Sequence, residues 1–385
     1  MDSKKPIEIM IIAAEASSAH YALKLMQYWR SQGKNYHFFG VGSDEMERQG
    51  FERLGKSEEM AVVGASEIFA QFSKLKLVFD QLVIAAKERR PGVVVVMDYP
   101  EFNLFLSRKL HAFGLKVFYY ISPQVWAWRK SRVETIKKFC VKAFLLFPFE
   151  VDFYQSRGVP YEFVGHPLLD EIDPDLYDEQ KISSRREKFG ITSKEKIVAL
   201  MPGSRRGELD QLLNVQLETA RRLLKKHNHL RLMIFVAPTI KKEEMQARLE
   251  NFKSPYILLQ DDPNRMISLA DYILVASGTA TLMVGLLHKP MVIIYKLSRL
   301  TGLFAHFFIR GVKFFGLVNL ILGCEVVPER KQSDVNPDEL FKLMDRYITD
   351  PEYTQKTIAD LKTLTSYLGN KGATARVAES LESYL

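Results

Sequence analysis

The chain has 385 residues, of which 47% are hydrophobic and 26% charged, so we expect about two globular domains with a sizeable core in each. A formal net charge of +8 favours an anionic partner such as a phosphorylated metabolite or a lipid headgroup, while no basic arm or basic–aromatic pattern indicates nucleic-acid binding. Two cysteines exclude a disulfide scaffold and suit the reducing cytosol, and no apolar run is long enough to predict a transmembrane helix.

Short apolar runs alternate with helical patterns in the first half of the chain. The runs that predict strands lie at residues 7–14, 36–41, 92–98, 115–121 and 143–147. The run at 92–98 contains four consecutive valines, which is typical of a parallel strand buried on both faces. This alternation predicts a doubly wound parallel sheet, and hence an α/β fold.

A stretch rich in Pro and Asp at residues 165–178 predicts an interdomain linker. Beyond it the alternation restarts, with strands expected at 197–201, 231–236, 256–259, 272–276 and 291–295, and helices at 208–226 and 241–251. After residue 350 the pattern is helical, with a break at 369–372. We therefore expect one domain over residues 1–168, a second over 169–371, and a last helix, 372–385, packed on the first.

The segment MPGSRRGE, residues 201–208, predicts a strand, a tight turn and the start of a helix. Backbone N–H groups and the helix dipole make such a terminus an anion site, and Gly203 lets a ligand approach the backbone. Ser204 would add a polar contact, and the guanidinium of Arg205 or Arg206 could bind a phosphate in a bidentate manner. The alternative is an ordinary turn in which Ser204 is the N-cap.

A second unit of this kind is the segment ASGTA, in which Ser277, Gly278 and Thr279 lie between a strand and a helix. Ser and Thr are common N-caps, so this turn alone is a weak signal. Ligands sit at the carboxyl ends of parallel strands, and two helix N-termini there suit a diphosphate. Neither turn matches a dinucleotide fingerprint or a P-loop.

Polar and aromatic candidates also follow the strands of the first half. Asp98 ends the valine run, where its carboxylate could be a general base or could only satisfy the turn. Trp128 and Arg129 follow the run at 115–121 and could grip a ligand or anchor the core. His166 lies in the linker, near any cleft, although a single histidine is more often structural.

Two apolar stretches, residues 60–83 and 303–322, carry interspersed Lys and Arg. Such a stretch can lie at a membrane surface, with its apolar face toward the acyl chains and its cations toward anionic headgroups, or can be plain core. The side chains that we expect to contact acyl chains or the membrane are Val62, Ile68, Phe69, Phe72, Phe307 and Phe308. Acidic residues show no metal-ligand spacing, so we expect no metal and no cofactor.

These segments, in this order, resemble the lipid-A-disaccharide synthase family of inverting glycosyltransferases. The resemblance covers most of the chain and is most specific in the combination of SPQVWAWR and PGSR. The matching segments are the Glu15-x-Ser17 loop, MDYPEFN around Asp98, YISPQVWAWR at 120–129, LFPFE at 146–150, VGHP at 164–167, MPGSR at 201–205, ASGTA at 276–280 and VNLILG at 318–323.

The resemblance implies the GT-B architecture, in which two Rossmann-like doubly wound domains face each other across a cleft. It implies that the enzyme transfers diacylglucosamine from UDP-2,3-diacylglucosamine to 2,3-diacylglucosamine 1-phosphate, forming a β-1,6-linked disaccharide and UDP. It also implies a cytoplasmic protein that binds peripherally to the inner membrane. It does not decide between a monomer and a homo-oligomer.

The same resemblance assigns roles to residues. The donor diphosphate would lie near Arg205 and residues 277–279, with Asn319 near the nucleotide. Asp98 matches the candidate base that takes the proton of the acceptor 6-hydroxyl. The acceptor side of the cleft would comprise Glu15, Ser17, Trp128, Arg129 and His166.

The chain departs from the family pattern at two places. In the first loop Ser18 and Ala19 replace a Gly-Asp pair, which removes a carboxylate from the acceptor side. Met283 stands where the family usually has a Glu that binds the ribose hydroxyls, so we expect Glu325 or Glu329 to replace it. Two alternatives therefore stay open: a related GT-B enzyme with another nucleotide sugar or acceptor, and a non-catalytic nucleotide- or lipid-binding paralogue.

Overall fold

The computed structural model describes residues 5–60, 68–122, 132–296 and 314–385, and of residues 68–72 only the helical backbone. The chain divides into two compact units, and the second interrupts the first along the sequence. The first unit comprises Met1–Asp170 and Leu368–Leu385, and the second comprises Glu171–Tyr367. Among the described residues, no helix is both long enough and apolar enough to cross a membrane.

The first unit contains a parallel sheet of seven strands among its described residues, in the order β3-β2-β1-β4-β5-β6-β7. Its strands are β1 (Ile7–Ala13), β2 (Tyr36–Gly42), β3 (Glu52–Lys56), β4 (Val93–Met97), β5 (Val117–Tyr120), β6 (Lys142–Leu145) and β7 (Tyr161–Phe163). Its helices are α1 (Ala16–Ser31), α2 (Asp44–Arg48), α3 (Ser57–Met60), α4 (Ile68–Arg89), α5 (Pro100–Ala112), α6 (Arg132–Phe139), α7 (Pro148–Gln155) and α8 (Leu168–Glu171).

The second unit repeats this plan with six described strands, in the order β10-β9-β8-β11-β12-β13. Its strands are β8 (Lys196–Met201), β9 (Leu230–Phe235), β10 (Ile257–Leu259), β11 (Tyr272–Ala276), β12 (Met291–Tyr295) and β13 (Glu329–Lys331). Its helices are α9 (Glu179–Glu187), α10 (Arg206–Lys226), α11 (Lys242–Arg248), α12 (Pro263–Leu269), α13 (Thr279–Leu286), α14 (Leu317–Leu322), α15 (Pro337–Thr349) and α16 (Pro351–Lys362), and Ala373–Glu382 forms α17, which belongs to the first unit.

Both sheets are buried on their two faces, which is why their central strands are nearly continuous apolar runs. The valines of β4 have no exposed surface, and β4 pairs with β1 on one side and β5 on the other. Close packing extends to the backbone: a Cβ at Gly40 would lie 2.2 Å from the carbonyl oxygen of Ile11, so only glycine fits there. The interior of each sheet is thus closely packed, and the loops that follow its strands start from buried positions.

The last helix, α17, packs against α1 within the first unit. Val377 and Leu381 are fully buried in that contact. The guanidinium of Arg376 donates to the carbonyl oxygen of Val164 at 2.7 and 2.9 Å, and the carboxylate of Asp170 accepts from the amide of Gly372. The chain therefore returns to the first unit after it has built the second.

Three strands were not expected from the sequence: β3, β7 and β13. All three lie at an edge of a described sheet and are short, and each contains at least one charged residue. Edge strands often have this composition, because charge and shortness protect an open edge from aggregation. An apolar run is then absent, and the pattern that identifies central strands gives no signal.

Candidate active site

The strand order reverses between neighbouring strands in both units: between β1 and β4 in the first, and between β8 and β11 in the second. At such a reversal the helices that follow the two strands leave on opposite faces of the sheet. A crevice remains at the carboxyl ends of these strands, and ligands of open α/β sheets bind in it. The residues after β1, β4, β8 and β11 are therefore the candidates in each unit taken by itself.

The turn after β8 leads directly into helix α10. Arg205 occupies the N-cap position in an extended conformation, and the helix begins at Arg206. The alternative in which Ser204 caps the helix is wrong, since the N-cap is the next residue, Arg205, whose side chain makes no capping hydrogen bond. The first N–H groups of the helix have no intrahelical acceptors, and they carry the positive end of the dipole.

A carboxylate already lies on this turn. Oε2 of Glu208 accepts a hydrogen bond from the amide of Ser204 at 2.8 Å. Gly203 has a φ of +130°, and a Cβ there would lie 2.4 Å from the same carboxylate oxygen. Gly203 is thus required by the closeness of Glu208, and the turn has the geometry to bind an anionic oxygen.

The second turn follows β11, the neighbour of β8 in the sheet, with Val275 paired to Met201. The amide of Ser277 donates to the carbonyl oxygen of Ile294 at 2.8 Å, which fixes the start of the turn. Gly278 is exposed and Thr279 is half-buried at the beginning of α13. The two turns therefore begin on adjacent strands at the same edge of one sheet.

Asn319 is fully buried and has no hydrogen-bonding capacity left for a nucleotide. Its amide group donates to the Val327 carbonyl and to Oε1 of Glu329, both at 2.7 Å, and its oxygen accepts the amides of Val326 and Val327. The side chain of Asn319 therefore has a structural task, and its place near the nucleotide stays a prediction. Asn319 holds Glu329 and the approach to β13.

Glu329 in turn holds the backbone that precedes α14. Its carboxylate accepts the amides of Phe315 and Gly316 at 2.8 and 3.0 Å. Burial raises the pKa of Glu329 above its usual value, while these hydrogen bonds act in the opposite direction. Of the two carboxylates expected to replace the missing ribose ligand, this one is engaged within the protein.

An aromatic pair flanks the second turn, and the sequence reasoning missed it. Tyr295, the last residue of β12, stacks on Phe315 with ring centres 6.0 Å apart, and the ammonium of Lys331 lies 5.0 Å from the Phe315 ring. The sequence indicates the position of Tyr295 but not that of Phe315, because Tyr295 ends an apolar run that predicts a strand. Phe315 is held at the same edge by tertiary contacts, since its amide donates to Glu329 and its carbonyl oxygen accepts the Ser277 hydroxyl at 3.5 Å.

In the first unit, Glu15 and Asp98 follow the two strands at the reversal. Glu15 precedes α1, and its amide donates to Oγ of Ser18 at 3.1 Å. Ser18 and Ala19 are buried, while Ser17 is half-buried beside the partly exposed Glu15. The departure from the family pattern at residues 18 and 19 thus lies on the inner side of the helix.

Asp98 and Tyr99 both have left-handed backbone conformations, with φ of 50° and 45°. The hydroxyl of Tyr99 donates to the carbonyl oxygen of Met60 at 3.0 Å. Burial, with a smaller contribution from the Glu15 carboxylate, raises the pKa of Tyr99. The structure therefore brings the Glu15 loop and the Asp98 turn together at one edge of the sheet.

His166 is the one predicted cleft residue whose protonation the structure determines. Its side chain is 3% exposed, and its Nδ1 accepts the amide of Leu168 at 3.2 Å. Phe147 and Tyr21 pack against the imidazole. Burial lowers the pKa of His166 to about 3, so the ring is neutral and cannot serve as a cationic ligand for the acceptor phosphate.

The remaining expectations fall outside what the structure describes. Trp128, Arg129, Val62, Phe307 and Phe308 lie outside the described residues, and the side chains of Ile68, Phe69 and Phe72 are likewise not described. Within the described ranges, no group of three or more His, Cys, Asp or Glu side chains is arranged to hold a metal ion.

Comparison with known sequences gives one family. A profile described as lipid-A-disaccharide synthetase matches residues 9–378. The lipid-A-disaccharide synthase of Geobacter sulfurreducens is 38% identical over 370 residues, covering 96% of this chain and 95% of that protein. The one from Myxococcus xanthus is 34% identical over 377 residues, covering 98% and 97%.

Solved structures with the same fold are more distant in sequence. A putative UDP-N-acetylglucosamine 2-epimerase from Listeria monocytogenes has a TM-score of 0.67 at 10% identity, covering 99% of this chain and 97% of its own. The UDP-GlcNAc 2-epimerase from Neisseria meningitidis, bound to UDP-GlcNAc, has a TM-score of 0.64 at 12% identity, covering 98% and 100%. The predicted class of two Rossmann-like parallel-sheet domains is confirmed.

We expect His166 to make the first unit sensitive to acid. The folded pKa of about 3 lies below the ordinary 6.5, so this group contributes its full stability above pH 6.5 and loses it as the pH falls toward 3. A shift of one pKa unit corresponds to about 1.36 kcal/mol. Between pH 7 and 5, the free energy of unfolding of the wild type should therefore fall by about 2 kcal/mol more than that of His166→Asn. The Oδ1 of the asparagine can still accept the Leu168 amide, so that hydrogen bond is kept.

Urea titrations followed by tryptophan fluorescence measure this, because Trp29, Trp126 and Trp128 all belong to the first unit. The ion pairs of His37 with Glu8 and Glu52 are present in both proteins and cancel in the comparison. Parallel pH dependences in the two proteins would contradict a buried neutral His166.

Proposed function

The chain belongs to the lipid-A-disaccharide synthetase family and is a glycosyltransferase of lipid A biosynthesis, and we propose that it joins two acylated glucosamines. The donor is UDP-2,3-diacylglucosamine and the acceptor is 2,3-diacylglucosamine 1-phosphate. The products are the β-1,6-linked disaccharide 1-phosphate and UDP. The family match over residues 9–378, which includes both strand-order reversals, carries this proposal.

We assign the donor to the second unit. Its diphosphate would bind at the turns after β8 and β11, where Gly203, Ser204 and residues 277–279 surround two adjacent helix N-termini. The Glu208 carboxylate on the Ser204 amide supports this assignment, since an anionic oxygen is already accommodated there. A UDP-sugar bound to the Neisseria meningitidis epimerase, which has the same fold, supports the ligand class.

Arg205 would add a cation to the positive ends of the two helices. As UDP leaves, negative charge develops on its distal phosphate, and a guanidinium stabilises that charge more than it stabilises the bound donor. The ribose contact needs a replacement, because Met283 is a poor acceptor. Since Glu329 accepts two main-chain amides and the Asn319 amide group, we propose Glu325 for this contact. The carboxylate of Glu325 is half-exposed, accepts the Glu329 amide at 3.3 Å and lies 3.6 Å from the Arg330 guanidinium.

We assign the acceptor to the first unit, with Glu15, Ser17 and Asp98 at the reversal between β1 and β4. Asp98 takes the proton of the acceptor 6-hydroxyl as that oxygen attacks the anomeric carbon of the donor. The new C–O bond forms on the face opposite to UDP, the bond to the phosphate oxygen breaks, and UDP leaves with the electron pair. Asp98 then returns the proton to solvent.

We also propose that one face of the first unit meets an anionic membrane. Leu77 and Ile84 on α4 are 63% and 56% exposed, and Phe105 on α5, the helix beside α4, is 64% exposed. Lys74, Lys76, Arg108 and Lys109 are exposed on the same two helices. Apolar side chains interspersed with cations suit the boundary between headgroups and acyl chains, where both substrates have their lipid portion.

The activity test uses purified protein with both substrates and measures UDP release. Loss of a general base lowers a rate by about 10²–10⁴-fold, so we expect Asp98→Asn to lose that much activity while UDP binding is retained. Asp152→Asn, the same change at an exposed position of the first unit, is the matched control and should keep its activity. UDP release that stays at background in both the wild type and Asp98→Asn would overturn the enzymatic proposal and leave a nucleotide-binding protein.

We expect Arg205→Ala to weaken UDP binding by about 1.5–3 kcal/mol, the contribution of a hydrogen bond to a charged group. The adjacent Arg206 is the matched control. Its guanidinium is exposed and pairs with Glu244 at 3.1 Å, so Arg206→Ala should bind UDP as the wild type does. Isothermal titration calorimetry compares the three proteins, and equal affinities for both variants would remove Arg205 from the donor site.

Vesicle flotation tests the membrane face. We expect the wild type to float with vesicles that contain anionic lipid, and less so at high salt, because salt screens the attraction of exposed charges. Leu77→Asp should reduce flotation, while Phe189→Asp, at an exposed aromatic residue of the second unit, should not. Equal flotation of neutral and anionic vesicles, or of both variants, would argue against this face.

A further inference from the structure

Three residues near the proposed base have left-handed backbone conformations without being glycine. Asp98 and Tyr99 follow β4, and Ile121, with a φ of 60°, follows the adjacent β5. Such conformations are unfavourable for side chains with a Cβ, and most of all for a β-branched one. They persist only where surrounding interactions hold them, and they cluster at functional sites.

Two buried side chains hold this turn through its main chain. The hydroxyl of Tyr119 donates to the carbonyl oxygen of Asp98 at 2.7 Å. The amide group of Asn103 donates to the same oxygen at 2.6 Å and to the carbonyl oxygen of Met97 at 3.0 Å. Tyr119 comes from β5 and Asn103 from α5, so the turn is held from two elements.

These contacts fix both peptide planes that flank the Cα of Asp98. The plane before it is fixed by the Asn103 bond to Met97 and by the amide of Asp98, which donates to the carbonyl oxygen of Ile121 at 3.1 Å. The plane after it is fixed by Tyr119 and Asn103 together. With both planes fixed, the direction of the Cα–Cβ bond of Asp98 is determined.

Both side chains that hold this turn are buried. Tyr119 and Asn103 have no exposed surface, so water cannot replace a missing donor. Burial also raises the pKa of Tyr119 well above its usual value, so the hydroxyl remains a donor throughout the range in which the protein is folded. In a medium of low polarity each of these hydrogen bonds is electrostatically stronger than it would be in water.

We infer that Tyr119 and Asn103 are positioning residues of the transfer reaction, which aim the Asp98 carboxylate at the acceptor hydroxyl by holding the peptide planes on both sides of it. This inference rests on the proposed role of Asp98 as the base. Neither side chain touches substrate. Their effect is on the precision of proton transfer, and a displacement of about 1 Å at a reacting group can lower a rate by about 10²-fold.

The test is Tyr119→Phe, which removes only the hydroxyl. We expect kcat to fall by roughly 10–100-fold, while the KM of both substrates and the affinity for UDP change by less than about threefold. Tyr347→Phe is the matched control: this buried tyrosine of the second unit donates to the carbonyl oxygen of Met291 at 3.2 Å, so the same chemical group is lost. Its kcat should stay at the wild-type value.

A second variant covers the case in which Tyr119→Phe does not fold. Asn103→Leu keeps the size of the side chain and removes the donors to both carbonyls, and it should show the same loss of kcat with unchanged KM. A loss that appears in KM, or equally in Tyr347→Phe, would mean that the hydroxyls serve stability alone and would overturn the inference.

The pathway through Asp98 is tested by combining variants. If Tyr119 acts only through Asp98, adding Tyr119→Phe to Asp98→Asn lowers the residual rate no further, whereas independent effects multiply. Multiplying effects would overturn the inference. A fully active Tyr119→Phe beside an inactive Asp98→Asn would overturn it as well but leave the proposed function intact, while an active Asp98→Asn would remove the proposed base itself.

Discussion

The reversal of strand order is the constraint on which both candidate sites depend. In a parallel sheet each strand must be joined to the next by a right-handed crossover, so the direction of winding decides which face the helix covers. Where winding changes direction, between β1 and β4 and again between β8 and β11, the crossovers diverge and leave the strand ends uncovered. The Asp98 turn and the Gly203 turn lie at these two places, where the topology leaves backbone groups accessible. The roles that we assign in donor and acceptor binding follow from which residues stand at the ends of these four strands.

Central strands could be predicted from the sequence, as could the apolar edge strand β10, whereas the charged edge strand β13 could not. The four valines of β4 and the apolar runs of β8 and β11 follow directly from burial on both faces. By contrast, β13 reads Glu-Arg-Lys and pairs only with β12. Its place depends on main-chain hydrogen bonds, to which every residue type contributes equally, so side-chain pattern carries no information about it.

The same difference separates the parts of the site that could and could not be predicted. Turn residues such as Gly203 and Asp98 were identified because they come directly after a strand in sequence. The functions of Asn319 and Tyr119 were not, because each acts on a main-chain group that another element brings into reach, and no local pattern records such a pairing. His166 shows the reverse case: its position in sequence suggested a cleft, and its neighbours Phe147 and Tyr21 make it part of the core. The position of a residue in the sequence predicts where it lies in the fold, whereas its protonation state depends on the side chains that pack around it.

The return of helix α17 to the first unit has a consequence for biosynthesis. Ribosomes produce the chain from its N-terminus, and domains usually fold in that order as they emerge. Here residues 368–385 complete the unit that began first, and they are made after all of Glu171–Tyr367. The second unit therefore has its full sequence available earlier, while the first must wait with the α1 surface that receives Val377 and Leu381 uncovered. A nascent chain would therefore expose the apolar α1 surface until residues 373–382 have emerged, so completion of the first unit is coupled to synthesis of the second.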